Sequence, residues 1–333
     1  MLNRSATCTV FGFDFQVNAA IVIMLENIRE LKSIRMEGKE DIELQLNNGN
    51  YVLAQAKSVV QASQDFTNVM ANLKKAMESL SEVGTNHEVE QLIYITNSTN
   101  PFNIKSESFI FSGLPTHRSY DDLLPKSKKK LDDIISNLTV PIDKSKLIIQ
   151  TLPFETNNKK ERYKYVWSAI EELLNKLGNL QISKEMLHEI WENDIFQSGT
   201  MGDQEIKLTK NDIIWPIIVL TTDNNNYDEE LNEELDEAQI EEVKRLYSTI
   251  INTYTEKYEF LTKVLFAFND FQKDKRVKDR IRLFISERYP DFLYIVDDAN
   301  LNDELKEIIV KVIIRNILYK RYKIQKIKEQ VNL

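Results

Sequence analysis

Polar and apolar residues alternate through Asp41-Ile42-Glu43-Leu44-Gln45-Leu46, the period of a half-buried strand. Asn48-Gly49-Asn50 then supplies turn chemistry before a second extended run from Tyr51 to Lys57, so a β-hairpin is predicted. Side chains two apart on a strand share a face, which places Asp41 with Glu43 and Gln55 with Lys57 on the neighbouring strand. Upstream, Phe15 to Leu31 carries Ala19, Ala20, Val22, Ile23 and Ile28 and predicts an apolar helix that packs on a sheet. Downstream, Phe66, Val69, Met70, Leu73, Met77 and Leu80 recur at helical spacing over Phe66 to Val83, and Gly84 ends that helix. Leu92 to Thr96 is a strand reached across it, expected parallel to the Gln55 strand in a right-handed βαβ unit. Phe109-Ile110-Phe111 and Leu147 to Gln150 are further strand candidates around a helix near Leu124 to Leu138. The expected core is α/β, a mixed sheet flanked by helices.

From about Thr156 the chain reads helix after helix, and the polar run Asn157-Asn158-Lys159-Lys160 marks a boundary. Two domains are expected, residues 1–155 and an all-α domain at 156–333. Within the second, Arg162 to Leu177 is stopped by Gly178, and Ser183 is placed to cap a helix running to Phe196. Asp228 to Phe271 is a long, initially acidic helical stretch. Asn302 to Ile327 is a terminal helix with Leu305, Ile308, Ile309, Val312 and Leu318 inward, and Lys311, Arg315, Lys320, Arg321, Lys323 and Lys326 outward.

Composition narrows the class. A chain of 333 residues with 42% hydrophobic content, eight glycines and seven prolines packs as an ordinary globular protein. The single cysteine, Cys8, excludes an intramolecular disulfide and a Cys-rich zinc site, and is expected as a small buried apolar residue. No apolar run is read as reaching membrane-spanning length, and MLNRSATCTVFGF has no signal-peptide core, so a cytoplasmic protein with no membrane partner is expected. The net charge of −9 argues against indiscriminate coating of nucleic acid. Two local clusters run the other way: Lys126, Lys128, Lys129 and Lys130, and then Lys159, Lys160, Arg162 and Lys164. Each is a candidate phosphate contact or a solvated, lysine-rich helix start.

The hairpin carries the chemistry. Hydrolysing a phosphodiester at neutral pH calls for a divalent cation that polarises the phosphate and acidifies a bound water. Mg²⁺ (or Mn²⁺) takes oxygen ligands of the kind Asp41 and Gln55 offer. A lysine beside them, Lys57, orients the attacking water or offsets charge developing on the phosphorane. Glu37 and Glu43 are additional candidates, either as second ligands or as solvated charges. Gln16 and Glu26 lie on the preceding helix, with Glu26 read by default as a surface residue. The plain structural alternative is a solvent-facing hairpin in which Lys57 pairs with Asp41 or Glu43.

Asp41 followed by Gln55-Ala56-Lys57 resembles the PD-(D/E)xK nucleases in the variant whose third motif is QxK. Within that superfamily the chain looks similar to the double-stranded DNA endonuclease domains of bacterial antiphage defence, found in CBASS effectors and in Lamassu and related ABC-ATPase-linked systems. The matching positions are Gly12, Phe15 and Gln16, then Glu40-Asp41-Ile42, then Gln55-Ala56-Lys57-Ser58, all within the first sixty residues. The resemblance implies a restriction-endonuclease-like core, a Mg²⁺-dependent double-stranded DNA endonuclease, and a helical domain that binds regulators. The partners it implies are an SMC-like or ABC ATPase subunit, a small third subunit, and further copies of the chain on activation. A catalytically silent scaffold that keeps the nuclease fold and assembles a defence complex is the alternative.

Other motifs are weaker. No GxxxxGK[ST] run is present, so ATP hydrolysis would belong to a partner. His188-Glu189-Ile190-Trp191-Glu192 lacks the second histidine of a zinc-protease helix. His87 and His117 are isolated, and the acidic clusters at Asp228-Glu229-Glu230 and Glu233-Glu234 read as a solvated face.

Overall fold

The computed structural model describes residues 4–38, 40–84, 88–155, 158–200, 207–222, 236–253, 257–297 and 301–333. A seven-stranded mixed sheet is built from β1 (Leu31–Met36), β2 (Ile42–Leu46), β3 (Tyr51–Lys57), β4 (Val89–Thr96), β5 (Thr116–Ser119), β6 (Leu147–Thr151) and β7 (Leu208–Thr209). Its order is β5-β6-β4-β3-β2-β1-β7, with β3, β4 and β6 mutually parallel and every other pairing antiparallel. The helices are α1 (Arg4–Glu26), α2 (Val69–Val83), α3 (Pro125–Ile135), α4 (Lys159–Arg162), α5 (Lys164–Lys176), α6 (Lys184–Thr200), α7 (Lys210–Thr222), α8 (Glu237–Thr253), α9 (Lys257–Asp270), α10 (Val277–Arg288) and α11 (Asp303–Gln330).

The strand period sorts the sheet into two faces. Leu53 of β3, Leu92 and Tyr94 of β4, and Leu147 and Ile149 of β6 pack in one core with Leu73, Met77 and Leu80 of α2 and Leu131 of α3. Their alternate neighbours, Ala54 and Ala56 among them, turn to the face where α1 lies, and Gly12 of α1 faces Ser58. Removing this much aliphatic and aromatic surface from water is the main drive for the layered core.

Two expectations about elements are corrected. The first helix starts at Arg4 and ends at Glu26, and Leu31 opens a strand. Asn27 marks the break, its side chain donating to the Ile23 carbonyl at 2.8 Å, and the chain then turns into β1. Phe109-Ile110-Phe111 belongs to a short 3₁₀ turn, Ser108–Phe111, because Phe111 packs on Phe102 at 5.8 Å while Phe109 stays in water. The edge strand instead lies at Thr116–Ser119.

Two expectations from composition are also corrected. Thr7–Glu26 of α1 is long and apolar enough to cross a bilayer by length and composition alone. Its apolarity has a local cause, since Phe15, Val17 and Ala19 through Met24 are buried inside the protein. Cys8 is exposed, because it sits in the first turns of α1, ahead of that buried stretch.

Two compact units divide the chain: Met1–Leu173 with Ser183–Lys210, and Leu174–Ile182 with Asn211–Leu333. This grouping differs from the expected 1–155 and 156–333. The polar run at 157 and the acidic 228–235 stretch lie wholly or partly outside the described residues, as does His87. Helix α6 joins the sheet unit because Leu187, Trp191 and Ile195 are buried along it and Gly199 abuts Met36 of β1. The second unit is helical, with an aromatic core in which Phe284 of α10 meets Phe268 of α9 at 5.4 Å and Phe292 at 6.3 Å.

Candidate active site

The β2–β3 turn is set by Gly49 at φ 92°, a left-handed conformation that glycine adopts without strain, and by Asn48, whose Oδ1 accepts from the Asn50 amide at 2.9 Å. The resulting register pairs Ile42 with Ala54 and Glu43 with Leu53. Asp41, one residue before β2, therefore lies level with Gln55 at the carboxyl-terminal end of β3.

Asp41 is the hub of the cluster. Its Oδ1 accepts from Gln55 Nε2 at 3.2 Å, and its Oδ2 accepts from the Ala56 amide at 2.9 Å and from Lys57 Nζ at 3.0 Å. The Asp41 and Lys57 side chains retain 14% and 27% exposure, so the pair stands at a solvent-reachable strand end. Glu40 lies beside it, buried, accepting from the Gln55 amide on Oε2 and from the Ser79 hydroxyl of α2 at 2.9 Å on Oε1. Burial pushes the Glu40 carboxyl up to about 7. Glu37, at φ 51°, is likewise raised, first by burial and then by the nearby Asp41 charge, with Lys57 opposing.

The other candidates are placed elsewhere. Glu43 shares the expected face but is bound by Arg35 at 2.8 Å, and Arg35 packs so closely over Gly38 that a Cβ there would collide with its guanidinium. Gln16 and Glu26 lie on α1, against the opposite face, and Glu26 accepts from Gln150 Nε2 at 2.9 Å. In the lysine cluster of α3, Lys130 donates to the Phe102 carbonyl at 2.9 Å, Lys126 reaches the Ser106 hydroxyl, and Lys128 lies over the Tyr120 ring. Lys129 has no such tie and is exposed. Lys159 and Lys160 are exposed on α4, whereas Arg162 is drawn inward to Asp14 at 3.0 Å.

Two supporting groups have no signature in the sequence. Asn97, just after β4, donates to the Val59 and Phe154 carbonyls at 2.8 and 2.7 Å and accepts from the Val59 amide, tying together the segments that leave β3, β4 and β6. Ser79 sits beside the buried stripe of α2, where nothing in the helical pattern distinguishes it from a surface serine. Glu40 was legible only as half of an acidic pair. The helix His188 occupies is structural: its Nε2 meets Asn18 Oδ1 at 2.7 Å, and burial depresses it to about 4. His117 lies on the edge strand β5.

Among the described residues no three His, Cys, Asp or Glu side chains converge as a ready-made metal cage. Asp41, Glu40 and Gln55 form a set of two carboxylates and an amide. That donor chemistry suits Mg²⁺, which keeps several waters and takes one or two carboxylates together with substrate phosphates. Gln55 presents its NH₂ to both carboxylates, so ligation through its carbonyl oxygen requires the amide to turn over.

No family model, curated protein or solved structure matches the chain.

Proposed function

We propose that the chain is a divalent-metal-dependent endonuclease that hydrolyses the backbone of double-stranded DNA, as an effector of bacterial antiphage defence. The observation that carries this reading is the meeting of Asp41, Gln55 and Lys57 at one solvent-reachable strand end, with Glu40 beneath them. Bound there, Mg²⁺ or Mn²⁺ supplies a Lewis acid and an acidified water. Asp41 would hold it through a carboxylate oxygen and Gln55 through its carbonyl once the amide has turned over from the orientation in which Glu40 and Asp41 take its NH₂. Lys57, paired with Asp41 at 3.0 Å, is placed to offset charge that builds on the phosphate as its bond breaks. A mixed sheet whose β2–β3 hairpin bears these residues is the arrangement the PD-(D/E)xK resemblance implies.

The helical unit is the proposed seat of control, docking an SMC-like or ABC ATPase subunit that restrains cutting. Supercoiled-plasmid cleavage across a Mg²⁺ and Mn²⁺ titration tests the chemistry. Nicked and linear products that need the metal and vanish with EDTA are expected. Cleavage that persists in EDTA would remove the metal-dependent mechanism.

A further inference from the structure

Helix α11 carries seven Lys and Arg and no Asp or Glu between Ile308 and Lys328, in a chain whose net charge is −9. One side of it is buried through Ile309, Ile313, Ile317, Ile324 and Ile327. On the other side Tyr319, Tyr322, Lys323 and Lys326 follow at three- and four-residue spacing and are all exposed, Tyr322 to 73%. Lys320 and Arg321 flank this stripe, half-exposed, and Arg321 stacks over the Tyr322 ring at 4.3 Å. Arg315 lies over Tyr319 at 5.5 Å but is itself buried, against the outward placement expected for it, because it falls on the packed side of the helix.

Such a face is costly for a helix that only meets water. Like charges three apart, as in Lys320 with Lys323 and Lys323 with Lys326, repel, and a solvated helix ordinarily intersperses acids to relieve them. Lys320, Lys323 and Lys326 make no ion pair among the described residues. Two large aromatic rings are held in water beside them. Cations interleaved with tyrosines on a rigid helix match a polyanion with flat or hydroxyl-accepting surfaces: phosphates take the cations, and tyrosine hydroxyls donate to phosphate oxygens.

We propose that the exposed face of α11, centred on Tyr319, Tyr322, Lys323 and Lys326 with Lys320 and Arg321, is a sequence-independent binding surface for the phosphate backbone of duplex DNA. The cationic stripe stands on its own; choosing duplex DNA among polyanions rests on the nuclease reading. The surface is distinct from the α3 cluster, whose Lys126 and Lys130 are tied to their own loop.

The test is fluorescence anisotropy of a labelled 30-base-pair duplex with the full-length chain in EDTA, where nothing is cut, over a series of salt concentrations. Replacing Lys320, Lys323 and Lys326 together by Gln is expected to weaken binding at least tenfold. It should also flatten the slope of log Kd against log salt by about 0.9 per lysine removed. The corresponding Lys→Arg triple variant should bind as the wild type does, and the melting temperature of the Gln variant should not fall. Unchanged affinity and slope in the Gln variant would overturn the assignment. So would displacement of the duplex by polyglutamate at equal charge, which would mark the face as a dock for an acidic protein. Binding of this kind without metal-dependent cleavage would leave the α11 surface intact and remove the nuclease reading instead.

Discussion

Gln55 sits between two carboxylates and donates to both through one NH₂ group. Replacing it by Glu restores the commoner third-motif form but places three carboxylates together without the NH₂ that bridges Glu40 and Asp41. Gln55→Glu is therefore expected to melt several degrees below wild type in EDTA and to regain most of that loss in Mg²⁺, read by differential scanning fluorimetry. Equal melting temperatures with and without metal would show that no cation enters the cluster. Glu40 makes a second prediction. Its folded value of about 7 lies above the ordinary 4.5, so the folded state keeps a proton that the unfolded chain has lost. Folding is then penalised progressively as pH rises from about 4.5 to 7, by an amount on the order of 3 kcal/mol above that window, and is unpenalised below it. Glu40→Gln should stabilise the metal-free chain at pH 8 and leave it near wild type at pH 4.5. A gap between the two proteins that does not change with pH would count against a buried, protonating Glu40. Asp41, Gln55 and Lys57 were legible in the sequence because strand alternation pairs Gln55 with Lys57 and the Asn48-Gly49-Asn50 turn folds the strand end bearing Asp41 beside them. Capture of Glu43 by Arg35 was not, since cross-strand pairing with β1 is invisible until β1 is recognised.

At the scale of elements, hydrophobic period served well wherever one face of an element is wet. Helix α2 was readable for that reason, whereas the hairpin was read from its polar–apolar alternation and turn residues and β4 from a short apolar run, these strands being buried on both faces. Helix α1 is apolar on nearly every side through Ala19 to Met24, so its pattern has no phase and gives no end point; the helical reading runs on to Leu31, the first residue of β1, and the strand itself goes unrecognised. Helix α7 was missed on the same ground, with Ile213 through Val219 buried around an internal Pro216 that argues locally against a helix. The contact between α1 and α6 rests on polar groups that no period predicts. Asn18 donates to Asp14 at 3.0 Å and joins His188, whose ring lies 4.9 Å from Tyr163. Truncating His188 to Ala removes the ring and leaves the Asn18 Oδ1 without its partner, which should cost about 2–4 kcal/mol in urea unfolding. Since His188 is held well below its ordinary 6.5, its contribution is complete above that pH and is lost as pH falls toward 4. The wild type should therefore approach the His188→Ala variant in stability at low pH. A difference of equal size at pH 7 and pH 4.5 would contradict a histidine buried neutral.

For the whole molecule, the proposal joins a sheet unit that carries one hydrolytic site to a helical unit with a cationic face. One site of this type cuts one strand, so breaking a duplex calls for two copies, and self-association on activation is the natural switch. Mass photometry of the chain with the proposed ATPase subunit, before and after activation, should show copies of the chain gathered in the active state. Full double-strand cutting by a lone monomer would sink that control scheme while leaving the chemistry in place. The chemistry itself is tested most directly by single-turnover cleavage of a labelled duplex in Mg²⁺, comparing wild type with Lys57→Ala. Lys57 is part-exposed and Asp41 keeps its bonds to the Ala56 amide and to Gln55 without it, so the variant should fold and melt within a few degrees of wild type. The account predicts that cleavage falls by at least about 10²-fold, the scale of losing one positioned electrostatic group at a reacting centre. A Lys57→Ala protein that cuts at the wild-type rate would contradict it.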